Sequence, residues 1–501
     1  MSDAHALWRV HGDDDVAVAL RPLAAGEAVS LAGERIDTLE AVPQGHKLAL
    51  RARAVGDVVH KYGFPIGVVT APIARGQWVH EHNLATRLRE GAAYTTHART
   101  PWRAAPLGGP TWMGYRRGDG RVGTRNEIWI IPTVGCVNTT AQRIAAAAAV
   151  RAAGRVDGVH AFPHPFGCSQ LGDDLSDTRR LLASLLTHPN AGGVLVLGLG
   201  CENNQMAALL DAAGTLPDGR VRWFNSQDVG DEQADGASAI DALIEIASGD
   251  RREAVPFGEL LLGLKCGGSD GLSGITANPL LGRIAERLTA CGGTAMLSEV
   301  PEMFGAEQLL MDRAVDEGTY AAVVQLIERF KAYFVAHGQA VYENPSPGNH
   351  AGGITTLEEK SLGAVQKGGQ APVVEVVPYA RRARARAGGL ALVEAPGNDA
   401  VSTAAMVAAG ATMLLFTTGR GTPFGSLVPT LKVASNAAIV ARKPHWFDVD
   451  ASRALTEPGG LDGLVEAAIA TIGTIASGAA RAANERNDAR ELAIWKRGVT
   501  L

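Results

Sequence analysis

Cysteine is scarce in this chain: Cys136, Cys168, Cys201, Cys266 and Cys291 are the five in 501 residues, an odd number with no CxxC pair. That count and spacing argue against a disulfide framework and point to a reducing, cytoplasmic setting. Long apolar runs are also missing. Stretches such as Ile144 to Val150 and Met413 to Phe416 are far too short to span a bilayer, and the opening residues lack the charged and apolar regions of a signal peptide. Positive charge is not in excess: 47 Lys and Arg face 52 Asp and Glu, a net charge of -5, which speaks against a phosphate-neutralising nucleic-acid face. The basic run Arg381 to Arg386 reads as a solvated segment. The run Gly198-Leu199-Gly200-Cys201-Glu202 has a strand–loop–helix setting but not the GxGxxG spacing, and no GxxxxGK[ST] occurs, which argues against a nicotinamide dinucleotide or P-loop nucleotide site there.

What is present is an ordinary globular balance, with 46% hydrophobic and 20% charged residues. The length suggests about three domains. Residues 1–90 carry short β-type runs (Val16 to Leu20, Lys47 to Leu50, Val58 to Val59, Ile66 to Val69) separated by turn glycines, the pattern of a small β-rich domain. Residues 91–113 are rich in Pro and Gly and read as an extended linker. From Gly114 the pattern alternates strand and helix. Ile128 to Pro132, Val194 to Leu197, Leu260 to Leu264, Leu390 to Val393 and Met413 to Thr417 are strands. Asn138 to Ala153, with Asn138 or Thr139 as N-cap, Leu175 to Leu186, Gln205 to Ala213, Ser402 to Ala409 and Gly460 to Gly478 are helices. The expected fold class is α/β with mainly parallel sheets, divided into a catalytic region 114–372 and a C-terminal region 373–501.

Four loops follow strands with glycine beside a polar or thiol residue: 164–170, 198–204, 265–270 and 418–422. Ligands of parallel α/β sheets bind beyond the carboxyl ends of strands. Cys168, Cys201 and Cys266 sit in three of these loops and could converge on Fe(2+) or an iron–sulfur centre; the alternative is packing as small apolar residues. Cys136 and Cys291 read as packing residues. In the N-terminal unit His46 and His82 offer a different, harder metal site, with His80 two residues from His82 so that a strand would place both on one face. Glu299 and Glu302 are candidate bases in a carboxylate-rich segment that also holds Glu307, although glutamates at a helix start would equally complement its dipole. Arg125, Arg420 and Lys432 are candidates to hold a substrate carboxylate. Asn344 to Gly353 has the composition of a closing loop or a plain connector.

These segments resemble the altronate and galactarate dehydratase family. The resemblance rests on Asp119 to Glu127 through Cys136-Val137-Asn138, on Gly167 to Asp174, Gly200 to Gln205, Cys266 to Gly274, Glu299 to Glu307, Asn344 to Gly353 and Gly419 to Gly425, and on Asn484 to Asp488. Pro43 to Lys47 and Tyr62 to Gly67 are similar to its SAF-type N-terminal domain. The forms Gln170 to Asp174 and Gly200 to Gln205 look closer to altronate than to galactarate members. His350 stands where the family usually has lysine. The resemblance implies a hydro-lyase converting D-altronate to 2-dehydro-3-deoxy-D-gluconate in hexuronate catabolism. Iron or another divalent cation such as Mn(2+) would be its cofactor, and the chain would associate with copies of itself. It places His46, Lys47, Glu299 and Glu302 in catalysis and Arg125, Asn138, Ser269, Asp270, His350, Arg420, Thr422 and Lys432 around the substrate. Galactarate, another sugar acid or sulfolactate is the nearest alternative substrate, and a non-catalytic sugar-acid-binding protein is the alternative of another class.

Overall fold

The computed structural model describes residues 6–88, 94–97, 102–384 and 388–501. The expected strands of the first unit form, with ends moved by a residue or two, as Val16–Ala19, Lys47–Ala49, Val58–Lys61 and Phe64–Val69 in small antiparallel sheets. Residues such as Val16, Leu48, Val59 and Ile66 are fully buried, and tight glycine turns separate the strands. Part of the expected linker lies outside the described residues. Residues 102–110 carry no helix or strand, and the strand Thr111–Arg116 begins inside the range expected to be linker. Of the basic run, 385–387 lies outside the described residues, and Arg381, Arg382 and Arg384 are exposed.

A four-stranded parallel sheet follows, built from β1 (Glu127–Pro132), β2 (Gly158–Ala161), β3 (Ala191–Gly198) and β4 (Val221–Asn225) in the order β2-β1-β3-β4. Every residue of β1 is buried, which is why the run reads as continuous apolar sequence rather than as alternation. The strands are connected through α1 (Asn138–Ala152), α2 (Gly172–Leu185) and α3 (Met206–Ala213), and α4 (Glu232–Ala247) also covers the sheet. Helix α1 starts at Asn138 with Val137 as its cap residue and no side-chain capping bond, so neither Asn138 nor Thr139 is the N-cap.

The second parallel sheet has seven strands: β5 (Leu261–Cys266), β6 (Thr294–Leu297), β7 (Val373–Val377), β8 (Leu390–Val393), β9 (Met413–Thr418), β10 (Thr430–Ala434) and β11 (Val449–Asp450). Their order is β7-β8-β6-β5-β9-β10-β11. The division expected at 372/373 therefore cuts through one sheet: β5 pairs with β9 and β6 with β8. Strands on both sides of that point share a single core, so they fold as one layer. The two parallel sheets part instead near Glu253–Pro256, a short strand that pairs antiparallel with Thr111–Arg116. Helices α5 (Ala277–Ala290), α6 (Leu357–Val365) and α7 (Asp399–Ala409) belong to this second α/β unit.

Two ion pairs fasten the N-terminal unit to it. Lys47 and Lys61, both fully buried, each place Nζ 2.8 Å from a different oxygen of Glu359 on α6. The remaining donors of Lys47 go to the Gly353 carbonyl and the Thr355 hydroxyl, each at 2.8 Å. Glycine is required at this junction, because a Cβ on Gly271 would lie 1.9 Å from the Gly45 carbonyl oxygen.

Candidate active site

The carboxyl end of β5 enters a buried cluster of opposite charges. Lys265 Nζ bonds Glu299 and lies 2.9 Å from Asp399 at the start of α7. Lys367 Nζ is 2.7 Å from the other oxygen of Glu299 and 2.8 Å from Cys266 Sγ. Glu302 accepts from Cys266 Sγ at 3.3 Å and pairs with Lys360 at 2.9 Å. Burial works against the charge on Lys265 and Lys367, but the surrounding anions outweigh it and both remain firmly protonated. Burial and then Glu299 and Glu302 push the Cys266 thiol up to about 12. Burial opposes the charge of Glu302, yet Lys360, Lys265 and Lys367 press its carboxyl down to about 2. Glu299 adopts a left-handed backbone, with φ of 68°, inside the core. That conformation costs of order 1–3 kcal/mol for a residue with a side chain, and the two lysines hold it there.

A second cluster lies where the N-terminal unit meets the 349–353 loop. His46 Nδ1 accepts from the Trp78 indole N–H at 3.1 Å, so the neutral ring carries its proton on Nε2, which faces the Ala351 carbonyl at 3.4 Å. His80 Nδ1 bonds the Thr355 hydroxyl at 2.9 Å. Glu81 reaches His80 Nε2 and His350 Nδ1, each at 3.4 Å. Burial first, then neighbouring Lys47, lowers His46 to about 4 and His80 to about 3, so both rings are neutral at ordinary pH. Burial likewise brings Lys47 down to about 8 against the opposing pull of Glu359.

The two clusters form one seam. Asn349 donates to the Ser269 carbonyl at 2.8 Å and accepts from Lys360 at 3.0 Å, and Gly271 N donates to Gly352 O at 2.8 Å. Asp270 locks the neighbouring loops: its oxygens accept from Ser273, Ser435 and Asn436. The loop 418–422 is tied in by Arg420 N donating to the Gly268 carbonyl at 2.8 Å. The Arg420 side chain is exposed. Lys432 sits behind it, donating to the Thr422 carbonyl at 2.7 Å over the Phe416 ring, and burial lowers it to about 8.

Two expected site residues are engaged elsewhere. Arg125 is buried, with its fork on Glu485 at 2.7 and 2.8 Å, and its remaining bonds go to backbone carbonyls. Asn138 bonds the backbone of His164 through both ends of its amide. His80 and His82 do not share a strand face; both lie in a turn, the first buried and the second exposed against Trp78.

Among the described residues, two groups have three ligand atoms within 4.8 Å of one another: Cys266 with Glu299 and Glu302, and His80 with Glu81 and His350. In the first, the ammonium groups of Lys265 and Lys367 already neutralise the anions and Cys266 stays a thiol, so its donor set does not suit a divalent cation. The second has two imidazoles and one carboxylate, a set suited to Fe(2+) with positions left open. His350 Nδ1 is buried and makes no hydrogen bond of good geometry, its polar neighbour being Glu81 at 3.4 Å, which leaves its lone pair open to a cation. Cys168 and Cys201 are exposed on loops of the first parallel sheet and do not join Cys266 in either group. Glu81, Lys265, Lys360, Lys367 and Asp399 were not singled out from sequence; the signal available for Lys265 was a lysine at the end of an otherwise apolar strand.

Three family models match in succession: the altronate/galactarate dehydratase SAF domain over residues 5–87, the D-galactarate dehydratase/altronate hydrolase second domain over 114–248, and the D-galactarate/altronate dehydratase C-terminal domain over 257–500. The gap between the last two coincides with the point where the two parallel sheets part. The chain is 49% identical over 495 residues to an altronate dehydratase of Escherichia coli strain K12, covering 98% of this chain and 99% of that one. It is 46% identical over 496 residues to an altronate dehydratase of Bacillus subtilis strain 168, with the same coverage. A galactarate dehydratase (L-threo-forming) of Escherichia coli is 34% identical over 461 residues, 88% of this chain and 86% of that one.

Proposed function

Because the chain belongs to the altronate and galactarate dehydratase family, we propose that it is a hydro-lyase converting D-altronate to 2-dehydro-3-deoxy-D-gluconate and water. The observation that carries this is near-full-length identity of 49% and 46% to two altronate dehydratases, against 34% to the galactarate enzyme.

The reaction removes a weakly acidic proton beside a carboxylate and expels the neighbouring hydroxyl. Positive charge must meet the negative charge that develops on the carboxylate. The seam has the groups for this. Arg420 and Lys432 bring cationic charge to one side, and Ser269 and Thr422 border it. His46 presents an N–H from a neutral ring, suited to donate to a substrate oxygen; its Trp78 bond keeps it from acting as the base. Glu299, Glu302 and Lys47 act by position in this reading: each bonds buried partners of opposite charge, and together they fix the loops that carry the polar groups. Arg125 and Asn138 act on structure rather than on substrate.

His80, Glu81 and His350 would hold the divalent cation, which supplies Lewis-acid stabilisation of substrate oxygen when bound. Incubation of the purified protein with D-altronate and ferrous iron under anaerobic conditions should yield a 2-keto-3-deoxy acid, with galactarate a poor substrate in parallel. Turnover of galactarate in preference to altronate would overturn the substrate assignment. For the cation, His80→Ala and His350→Ala should each abolish tight binding of one ferrous or manganous ion by calorimetry; unchanged binding in both would remove this donor set.

A further inference from the structure

Three cysteines follow the ends of neighbouring strands, remote in sequence from both clusters above. The central strand β1 is flanked by β2 and β3, all parallel, and a cysteine follows the carboxyl end of each: Cys136 after β1, Cys168 after β2 and Cys201 after β3. All three are free and exposed; Cys136 is not the packing residue its sequence suggested. Adjacent strands lie about 4.8 Å apart, so three consecutive strand ends bring their loops to one patch.

The loops are bonded to one another as a rigid platform. Gly135 N donates to Phe166 O and Asn204 N to Gly167 O, both at 2.9 Å. Ser169 N donates to Asn203 Oδ1 at 2.8 Å, and Asn204 Nδ2 to Thr133 O at 3.1 Å. The amide of Asn138 clamps the 164 loop to the start of α1. The approach is so close that a Cβ on Gly167 would meet the Thr133 carbonyl oxygen at 2.1 Å. Helices α1, α2 and α3 each begin a few residues beyond one of these cysteines, so three amino-terminal dipole ends favour an anionic guest. Among the described residues, no carboxylate or imidazole joins the thiols in a group tight enough for a single ion.

We propose that Cys136, Cys168 and Cys201 hold a [4Fe–4S] cluster through three thiolates, leaving its fourth iron open to an oxygen donor of a hydroxy acid. Three soft ligands spread across three strand ends match a polynuclear guest better than a single hard cation. The patch faces the same end of the molecule as the lysine–glutamate cluster. Helices α2 and α7 pack together, and Arg382 donating to Ser184 O and Ala383 N to Ala409 O make their carboxyl ends neighbours. Their amino ends, carrying the Cys168 loop and Asp399, therefore lie together.

The inference is independent of the substrate and of the histidine-held cation, because acid-labile sulfide reports a cluster and a single ion brings none. Anaerobic reconstitution of the full-length protein with an equal mixture of ferrous and ferric iron and with sulfide should give about four irons and about four sulfides per chain, broad visible absorption and an electron paramagnetic resonance signal on reduction. Cys136→Ser, Cys168→Ser and Cys201→Ser should each lose most of the sulfide while keeping the wild-type circular dichroism and melting curve. Cys266→Ser, Cys291→Ser and His80→Ala should keep it. Absence of sulfide from the reconstituted wild type, full retention in the folded Cys136→Ser variant, or loss in Cys266→Ser would each overturn the proposal.

Discussion

Glu359 is a single carboxylate between two ammonium groups, all three buried. Glu359→Gln leaves Lys47 and Lys61 without a counter-charge, and removal of one partner from a buried ion pair costs about 3–5 kcal/mol. Urea unfolding should register that loss. Burial opposes the charge of Glu359, but Lys47 and Lys61 hold its carboxyl at about 2, so its contribution is complete above the ordinary value of 4.5 and is lost as pH falls through about 2. Arg125 makes the complementary case. Arg125→Ala should lower the melting temperature and leave KM for altronate within about twofold of wild type. A tenfold rise in KM with unchanged stability would return Arg125 to the substrate. At this scale residue type was legible and partnership was not: Arg125 has the fork that suits a carboxylate, but the carboxylate it meets is Glu485, 360 positions away. Cys136 misled in the opposite direction, since nothing local distinguishes a thiol at an exposed strand end from one packed in a core.

The elements were largely legible because their hydrophobic runs are bounded by caps and glycines. Strand Leu390–Val393 forms as expected, and the helix expected from Ser402 starts one turn earlier, at Asp399, with Asn398 accepting from Val401 N as its cap. The loops were legible as glycine-rich but not in what they touch. Gly271 is the sharpest example, because its lack of a side chain admits the Gly45 backbone from another domain. Gly271→Ala should shift the 269–271 and 349–353 loops. Displacements of this size near a reacting centre cost about a hundredfold in rate, so kcat/KM should fall by that order while far-ultraviolet circular dichroism stays the same. A variant of wild-type activity would show that the junction tolerates movement.

For the whole molecule, parallel α/β layers behind a small β-rich domain were legible from the alternation of strand and helix patterns. The boundary between layers was not, because strand pairing is non-local: β5 and β6 take central places in a sheet whose other strands lie beyond residue 372. The charge pattern of the assembled seam sets a pH profile. His46 and His80 are already neutral above about 4, so their titration leaves kcat/KM flat from pH 5 to neutrality. Lys432 loses its proton as pH rises through about 8, which removes a cation from the substrate side, so KM for an anionic substrate should climb above that point. A KM constant to pH 10 would exclude Lys432 from carboxylate binding. The ion pairs that fasten the N-terminal unit also impose an order on biosynthesis. Lys47 and Lys61 leave the ribosome 312 and 298 residues ahead of Glu359. Until that glutamate emerges, the leading domain has no site at which to bury its two lysines, so a nascent or prematurely ended chain cannot close the seam. Completion of the active site thereby reports that the polypeptide has been made at least as far as Glu359.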